Sequence, residues 1–276
     1  MSLSCIVLTW NSILYIDDCL NSIDGLKEIM NLEIIVVDNG SHDGTQERLF
    51  KFQKRTKYNI EIILLDRNMG TTVTRNMAIK KCNGDFLAFI DSDVKFSSNS
   101  FLDMVNYLNK NKDVGILAPM IRYPNGAIQQ SCKKIPTLDV KLLKLIDIFT
   151  FMKSSNRDYY GSFPFKVPTF VDTAISAFWL MRKDIIDIVG IFDENIFYSP
   201  EDIDYCLRVW LAGKKVSFYP YFKVIHHTQQ ITHRFPFRQI SFSHVKGLFY
   251  YFNKYEYILS DKKIRSKLNR NKTAPI

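Results

Sequence analysis

The chain has 276 residues, 46% of them hydrophobic, and a formal net charge of +9. That length suits one large α/β domain, with or without a tail, and the apolar fraction allows a packed core and argues against intrinsic disorder. Cys5, Cys19, Cys82, Cys132 and Cys206 are odd in number, scattered and without a C-x-x-C pair, which argues against a disulfide framework or a zinc site and for a reducing compartment.

The first element is the apolar run Ser4–Thr9, with no basic segment before it, so the start does not read as a signal peptide. A helix is predicted at Ile13–Ile23, a strand at Glu33–Val37, a helix at Gly44–Lys54, a strand at Ile60–Leu65 and a helix at Thr71–Cys82. The strand Phe86–Ile90, the helix Ser98–Asn111 and the strand Val114–Ala118 complete the series. Strand-helix alternation at this spacing predicts a mostly parallel central sheet flanked by helices, a Rossmann-like nucleotide-binding arrangement. In such sheets chemistry gathers at the carboxyl ends of the strands, where Thr9, Asp38, Asn39, Asp66 and Asp91-Ser92-Asp93 fall.

The second half is less regular. Asn125-Gly126 reads as a hairpin turn. Leu138–Met152 reads as a helix, Ser154–Pro168 as a loop, Phe170–Met181 as a strand and Glu201–Ala212 as a helix ended by Gly213. Strands follow at Lys215–Tyr219 and Tyr221–His227, then an aromatic, basic helix beyond Arg238. From Phe235 to Ile276 there are nine Lys/Arg and two Asp/Glu, so +7 of the net charge lies in this tail. No apolar stretch reaches the roughly 18–20 residues of a spanning helix.

Four constellations carry chemistry. Asp91 and Asp93, one residue apart at a strand end, can aim oxygen ligands at one Mn²⁺ or Mg²⁺ bridging to a diphosphate, although D-x-D also serves as a polar turn. Asp38-Asn39-Gly40-Ser41 can offer a carboxylate or an amide to a nucleobase edge, or can cap the next helix. Glu201-Asp202-Ile203-Asp204 opens a helix, where the dipole favours acids; three acids in four residues exceed what capping needs, and one can act as general base. His226-His227 ends an apolar strand, and imidazole can complete a mixed N/O metal site.

In this order, the pieces resemble glycosyltransferase family 2, with the GT-A fold, and within it the bacterial rhamnosyltransferase-like branch. The similar stretches are Cys5–Asn11, Val36–Ser41, Asn68–Gly70 through Arg75-Asn76, Gly84–Asp93, Gly190–Asp193, Glu201–Asp204 with Leu207-Arg208, and His226-His227, spanning about residues 4–228. The resemblance implies that Thr9, Asp38, Asn39, Arg75, Asp91 and Ser92 bind the nucleotide sugar. It implies that Asp93, Asp91 and His226 hold the metal, that Asp202 is the catalytic base and that Glu201 holds the acceptor. One in-line displacement then inverts the anomeric carbon. Two departures stand out: Asp91-Ser92-Asp93 where many of that branch carry Asn-Pro-Asp, and Ile175-Ser176-Ala177 where Ser-Gly-Ala is usual.

The expected organisation is a catalytic domain at 1–234, with a nucleotide-sugar half at 1–118 and an acceptor half at 119–234, followed by a tail at 235–276. The expected donor is a UDP or dTDP sugar, the acceptor a saccharide or lipid-linked saccharide. The expected location is cytoplasmic, with the tail as a contact to the inner face of the membrane rather than to nucleic acid. A sugar-phosphate nucleotidyltransferase would want a glycine-rich basic loop after the first strand, where Trp10-Asn11-Ser12-Ile13 stands. A non-catalytic carbohydrate-binding protein would leave Asp91, Asp93 and Asp202 without a purpose.

Overall fold

The computed structural model describes residues 1–26, 31–136, 158–228, 239–256 and 266. The expected helix at Leu138–Met152 lies outside these residues. The amino-terminal half runs β1 (Ser2–Thr9), α1 (Ile16–Asp24), β2 (Asn31–Asp38), α2 (Thr45–Arg55), β3 (Asn59–Leu64) and α3 (Thr71–Ile79). It continues with β4 (Phe86–Asp91), β5 (Val94–Phe96), α4 (Phe101–Lys110) and β6 (Val114–Arg122). The second half adds β7 (Cys132–Lys133), β8 (Thr169–Phe170), β9 (Thr173–Ala174), β10 (Phe178–Arg182), α5 (Asp184–Val189), α6 (Glu201–Leu211), β11 (Lys215–His226) and α7 (Gln239–Tyr255).

The main sheet has the order β3-β2-β1-β4-β10-β6-β11-β5. Strands β3, β2, β1 and β4 are mutually parallel, as is the β6–β11 pair, while β10 is antiparallel to both its neighbours. Strands covered on both faces need near-continuous apolar runs, which β1, β2, β4 and β6 supply. Alternation then deals them to two cores. Cys5, Val7, Ile34, Val36, Ala88 and Ile90 pack under α1, α2 and α4. Ile6, Ile35, Val37, Leu87 and Phe89 pack on the other face with residues of α3, α5, α6 and α7.

Two strand expectations are corrected. The run Phe170–Met181 is three short strands, β8 on β11, β9 on β7 and β10 between β4 and β6. Its breaks fall at Asp172, whose carboxylate accepts from the Ile135 amide at 3.2 Å, and at Ser176, whose hydroxyl turns into the site. The two strands expected after Lys215 are one, β11, whose register against β6 slips between Tyr219 and Lys223. Pro220 lies in that slip and lacks the N–H a regular ladder would use. Antiparallel pairing of β11 with the unanticipated β5 sets His226 opposite Val94, which positions the site.

Candidate active site

Register alone gathers the strand ends. Thr9 pairs with Asp38, and Leu8 pairs with Asp91. The Asp38 Oδ2 accepts from the Ser41 amide at 3.0 Å and from Gln46 Nε2 at 2.8 Å. Its Oδ1 and the Thr9 hydroxyl are buried without a hydrogen-bond partner. Buried polar atoms are nearly always satisfied, so two orphans side by side mark a place for a polar ligand. Asn39 is engaged differently: its Nδ2 donates to Asn68 Oδ1 at 2.9 Å and its Oδ1 accepts from the Met69 amide at 2.7 Å. It therefore fixes the turn beside the pocket. Ser92 is held too, with its hydroxyl 2.7 Å from that of Ser12. Asp66 is exposed beyond β3.

Asp91, Asp93 and His226 each present a ligand atom, all within 4.8 Å of one another. The His226 Nε2 lies 3.3 Å from Asp93 Oδ1. The other ring nitrogen, Nδ1, donates to Gln129 Oε1 at 3.0 Å, which leaves the Nε2 lone pair for a ligand. Gln129 returns to the end of β6 through the Asn125-Gly126 turn, its amide donating to the Ile121 carbonyl at 2.9 Å. Burial pulls the His226 pKa down, but Asp93 outweighs it and the net direction is up. Burial and Asp93 push Asp91 upward against the opposing Arg75. Two carboxylates and an imidazole crowded in this way suit a hard or borderline divalent cation, which would relieve the repulsion. His227 closes the corner: its amide donates to the Asp93 carbonyl at 3.0 Å, and its ring lies 4.9 Å from that of Tyr15.

Arg75 on α3 links this corner to α6. Its Nη2 donates to Asp91 Oδ1 at 3.0 Å, and its Nη1 to Glu201 Oε1 at 3.2 Å and Ser176 Oγ at 2.9 Å. The Ser176 hydroxyl donates in turn to Glu201 Oε1 at 3.1 Å. The serine that departs from the usual glycine is thus part of the Arg75–Glu201 contact. Burial first, then the neighbouring Asp202 carboxylate, push the Glu201 acid up to about 8. Both Arg75 and Ser176 bond to Oε1, so Oε2 is the atom left to carry that proton. Asp202 is half-buried in the first turn, its Oδ1 accepting from the Ile203 amide at 2.8 Å. Asp204, the third acid of the motif, turns away from the site and accepts from Arg208 Nε at 2.9 Å and Lys254 Nζ at 2.7 Å.

Residues 4–190 match glycosyl transferase family 2. The glycosyltransferase AglE of Haloferax volcanii is 38% identical over 219 residues, covering 78% of this chain and 63% of its own length. TarS of Staphylococcus aureus, a poly(ribitol-phosphate) β-N-acetylglucosaminyltransferase, is 32% identical over 154 residues, covering 54% of this chain and 26% of itself. The chain thus spans under two thirds of either relative. More distant relatives include proteins named as rhamnosyltransferases. The structure of GalNAc-T7 with UDP, GalNAc and Mn²⁺ superposes with a TM-score of 0.59 at 14% identity, covering 82% of this chain and 44% of that one. That likeness shows the fold, a GT-A sheet with its flanking helices. On the match across more than half its length, and with the acids of that match converging at the strand ends, the chain belongs to glycosyl transferase family 2.

Proposed function

We propose that this chain is a metal-dependent, inverting glycosyltransferase. It would move a sugar from a UDP or dTDP donor to a saccharide or lipid-linked saccharide in cell-surface glycan assembly. The observation that carries the reading is the convergence of Asp91, Asp93 and His226 beside β1 and β2, whose ends carry the orphaned Thr9 and Asp38 atoms. Relatives named for poly(ribitol-phosphate) and rhamnosyl transfer support the reaction class. Residues 1–118 would supply the donor half and 119–234 the acceptor half.

Asp91, Asp93 and His226 would hold Mn²⁺ or Mg²⁺, which supplies positive charge against the leaving diphosphate. The chain's own residues do the rest. Thr9 and Asp38 receive the base, with Asn39 and Ser92 holding the walls. Arg75 fixes Asp91 on the donor side and Glu201 on the acceptor side in one guanidinium, so the two halves share a rigid reference. Glu201 holds the acceptor through Oε2. Asp202 removes the proton of the attacking hydroxyl, and a single displacement from the opposite face inverts the anomeric carbon.

The test is a nucleotide-sugar panel with Mn²⁺, read as release of nucleoside diphosphate, with Asp93→Ala and Asp202→Asn alongside. Asp93→Ala should abolish metal-dependent release, and Asp202→Asn should bind donor normally yet turn over about 10²–10⁴-fold more slowly. Full activity in EDTA would overturn the metal, and undiminished turnover by Asp202→Asn would overturn the base.

A further inference from the structure

Helix α7 lies outside the reaction described above, yet its contacts converge on the segment that delivers Glu201 and Asp202. Gly247 sits in the middle of this helix. A Cβ there would land on the Ser199 carbonyl oxygen and lie 3.4 Å from Pro200 Cδ. A glycine in a helix interior is less favourable than alanine, so its use here goes with a backbone approach that no other residue permits. The contact falls two residues before Glu201.

The same segment is gripped on its other side by α3. A Cβ at Gly70 would land on the Phe197 carbonyl. The Thr71 amide donates to that carbonyl at 2.7 Å, the Thr71 hydroxyl to the Tyr198 carbonyl at 3.2 Å, and the Thr72 hydroxyl to the Ile196 carbonyl at 2.7 Å. Residues 196–200 therefore run between α7 and the start of α3, with Gly247 inside the one and Gly70 capping the other where the chain passes.

Lys254 completes the arrangement. Its Nζ lies 2.6 Å from Asp193 Oδ2 and 2.7 Å from Asp204 Oδ1. Tyr250 donates its hydroxyl to Asp193 at 2.9 Å, and Tyr255 donates its own to Asp204 at 2.8 Å. Asp193 and Asp204 stand at either end of the segment that contains both acceptor-side acids, and one lysine closes it. Tyr251 and Phe252 of the same helix are buried in the core shared with α6.

We propose that α7 is a positioning element for the acceptor-side acids, acting through Gly247 on the Ser199 carbonyl and through Lys254 on Asp193 and Asp204. The proposal rests on the reading of Glu201 and Asp202 given above. It makes the tail a working part of the acceptor half: loosening α7 should disturb Asp202 and leave the donor corner as it is.

The experiment uses the full chain with Gly247→Ala, Lys254→Met, Lys254→Arg and, on the exposed face of α7, Asn253→Ala. Three readouts are taken: turnover of whichever nucleotide sugar the panel identifies, UDP affinity in the presence of Mn²⁺, and hydrogen exchange of the peptides covering 196–204 and 86–93. An ångström-scale displacement of a catalytic group costs about 10²-fold, so Gly247→Ala and Lys254→Met should lose that much turnover. UDP affinity should stay within about twofold, exchange should rise only at 196–204, and Lys254→Arg should recover part of the loss. Asn253→Ala should match the parent. Lys254→Met introduces no clash and decides the matter where Gly247→Ala does not fold. Parental turnover in Lys254→Met, or a loss matched by an equal loss of UDP affinity, overturns the proposal. Asp202→Asn, run in parallel, separates the two ideas: if it keeps parental turnover the base assignment has failed, and if it alone is slow the assignment stands and α7 has no positioning role.

Discussion

Gln129 Oε1 accepts from His226 Nδ1 at 3.0 Å, and so decides which nitrogen of that ring faces Asp93. A ligand histidine held by an outer hydrogen bond loses about 10–100-fold in metal affinity when that bond is removed. Gln129→Leu should raise the Mn²⁺ concentration for half-activation by that factor, with turnover at saturating Mn²⁺ close to the parent. A metal titration of turnover measures it; an unchanged half-activation concentration would remove His226 from the ligand set.

Glu201 should make stability depend on pH. Its folded-state pKa is raised, to about 8, by burial and by Asp202. A raised acid contributes its stabilisation fully below its unfolded pKa and loses it as pH rises through the folded value. The parent should therefore weaken between about pH 4.5 and pH 8. Glu201→Gln, a permanent analogue of the neutral acid, should gain on the parent over the same interval. A tenfold change in a protonation equilibrium corresponds to about 1.4 kcal/mol, and the relative gain should exceed that. Thermal melts of both proteins at about pH 5 and about pH 9, on either side of that interval, supply the comparison. Parallel pH profiles would contradict a buried, protonated Glu201.

The parallel series was legible because its signals are local. Apolar runs such as Ile34–Val37 and Phe86–Ile90, each followed by a polar residue and a helical period, place β2 and β4 and with them Asp38 and Asp91. The strands of the second half were harder, because their partners are remote in sequence. Nothing near Phe178 says that β10 enters between β4 and β6, and nothing near Val94 says that a three-residue strand will meet His226. The family resemblance pointed to Asp91, Asp93 and His226 as the candidate metal ligands, while the fold alone shows Gln129 behind them, since a glutamine among polar neighbours has no distinctive pattern. The same holds for Arg75: the family resemblance pointed to the donor, whereas the structure gives its guanidinium two acids, one in each half.

On the proposed reading, Asp38 would carry the base preference. Ser41 and Gln46 hold Oδ2 and leave Oδ1 as a buried acceptor. That atom suits the N3–H of uracil or thymine. Asp38→Asn replaces a charged acceptor with a neutral one, and hydrogen bonds to charged groups are worth about 1.5–3 kcal/mol. UDP affinity should fall by about 10–10²-fold, with GDP bound weakly by both proteins. Calorimetric titration with UDP, dTDP and GDP in Mn²⁺ reports this. Tight GDP binding by the parent, without UDP or dTDP binding, would refute the assignment.

The tail poses a question of membrane contact that α7 divides into two parts. Tyr251 and Phe252, two aromatics of the tail expected to meet the membrane, are buried against the catalytic core. Phe249 is 70% exposed and Val245 41% exposed, one helical turn apart, with Lys246 exposed beside them. Among the described residues no helix is long and apolar enough to cross a membrane. The contact to be tested runs through this apolar pair and through Lys262, Lys263, Arg265, Lys267, Arg270 and Lys272, all six of which lie outside the described residues. Truncation after Asn253 would cut α7 before Lys254 and confuse docking with anchoring, so the informative truncation follows Glu256. At about 1 kcal/mol per basic residue near an anionic surface, six charges are worth about 10⁴-fold in partitioning. Inserting one phenylalanine is worth about 1.5–3 kcal/mol, or about 10–10²-fold. Sedimentation with phosphatidylserine vesicles at low salt should therefore recover the full chain in the pellet, lose most of it on truncation, and lose less with Phe249→Ser. Salt should release the full chain, since screening acts on the dominant charge contribution. If the full chain and the truncated chain both remain in the supernatant at low salt, the tail has no lipid-anchoring role and its described part, α7, serves the catalytic domain alone.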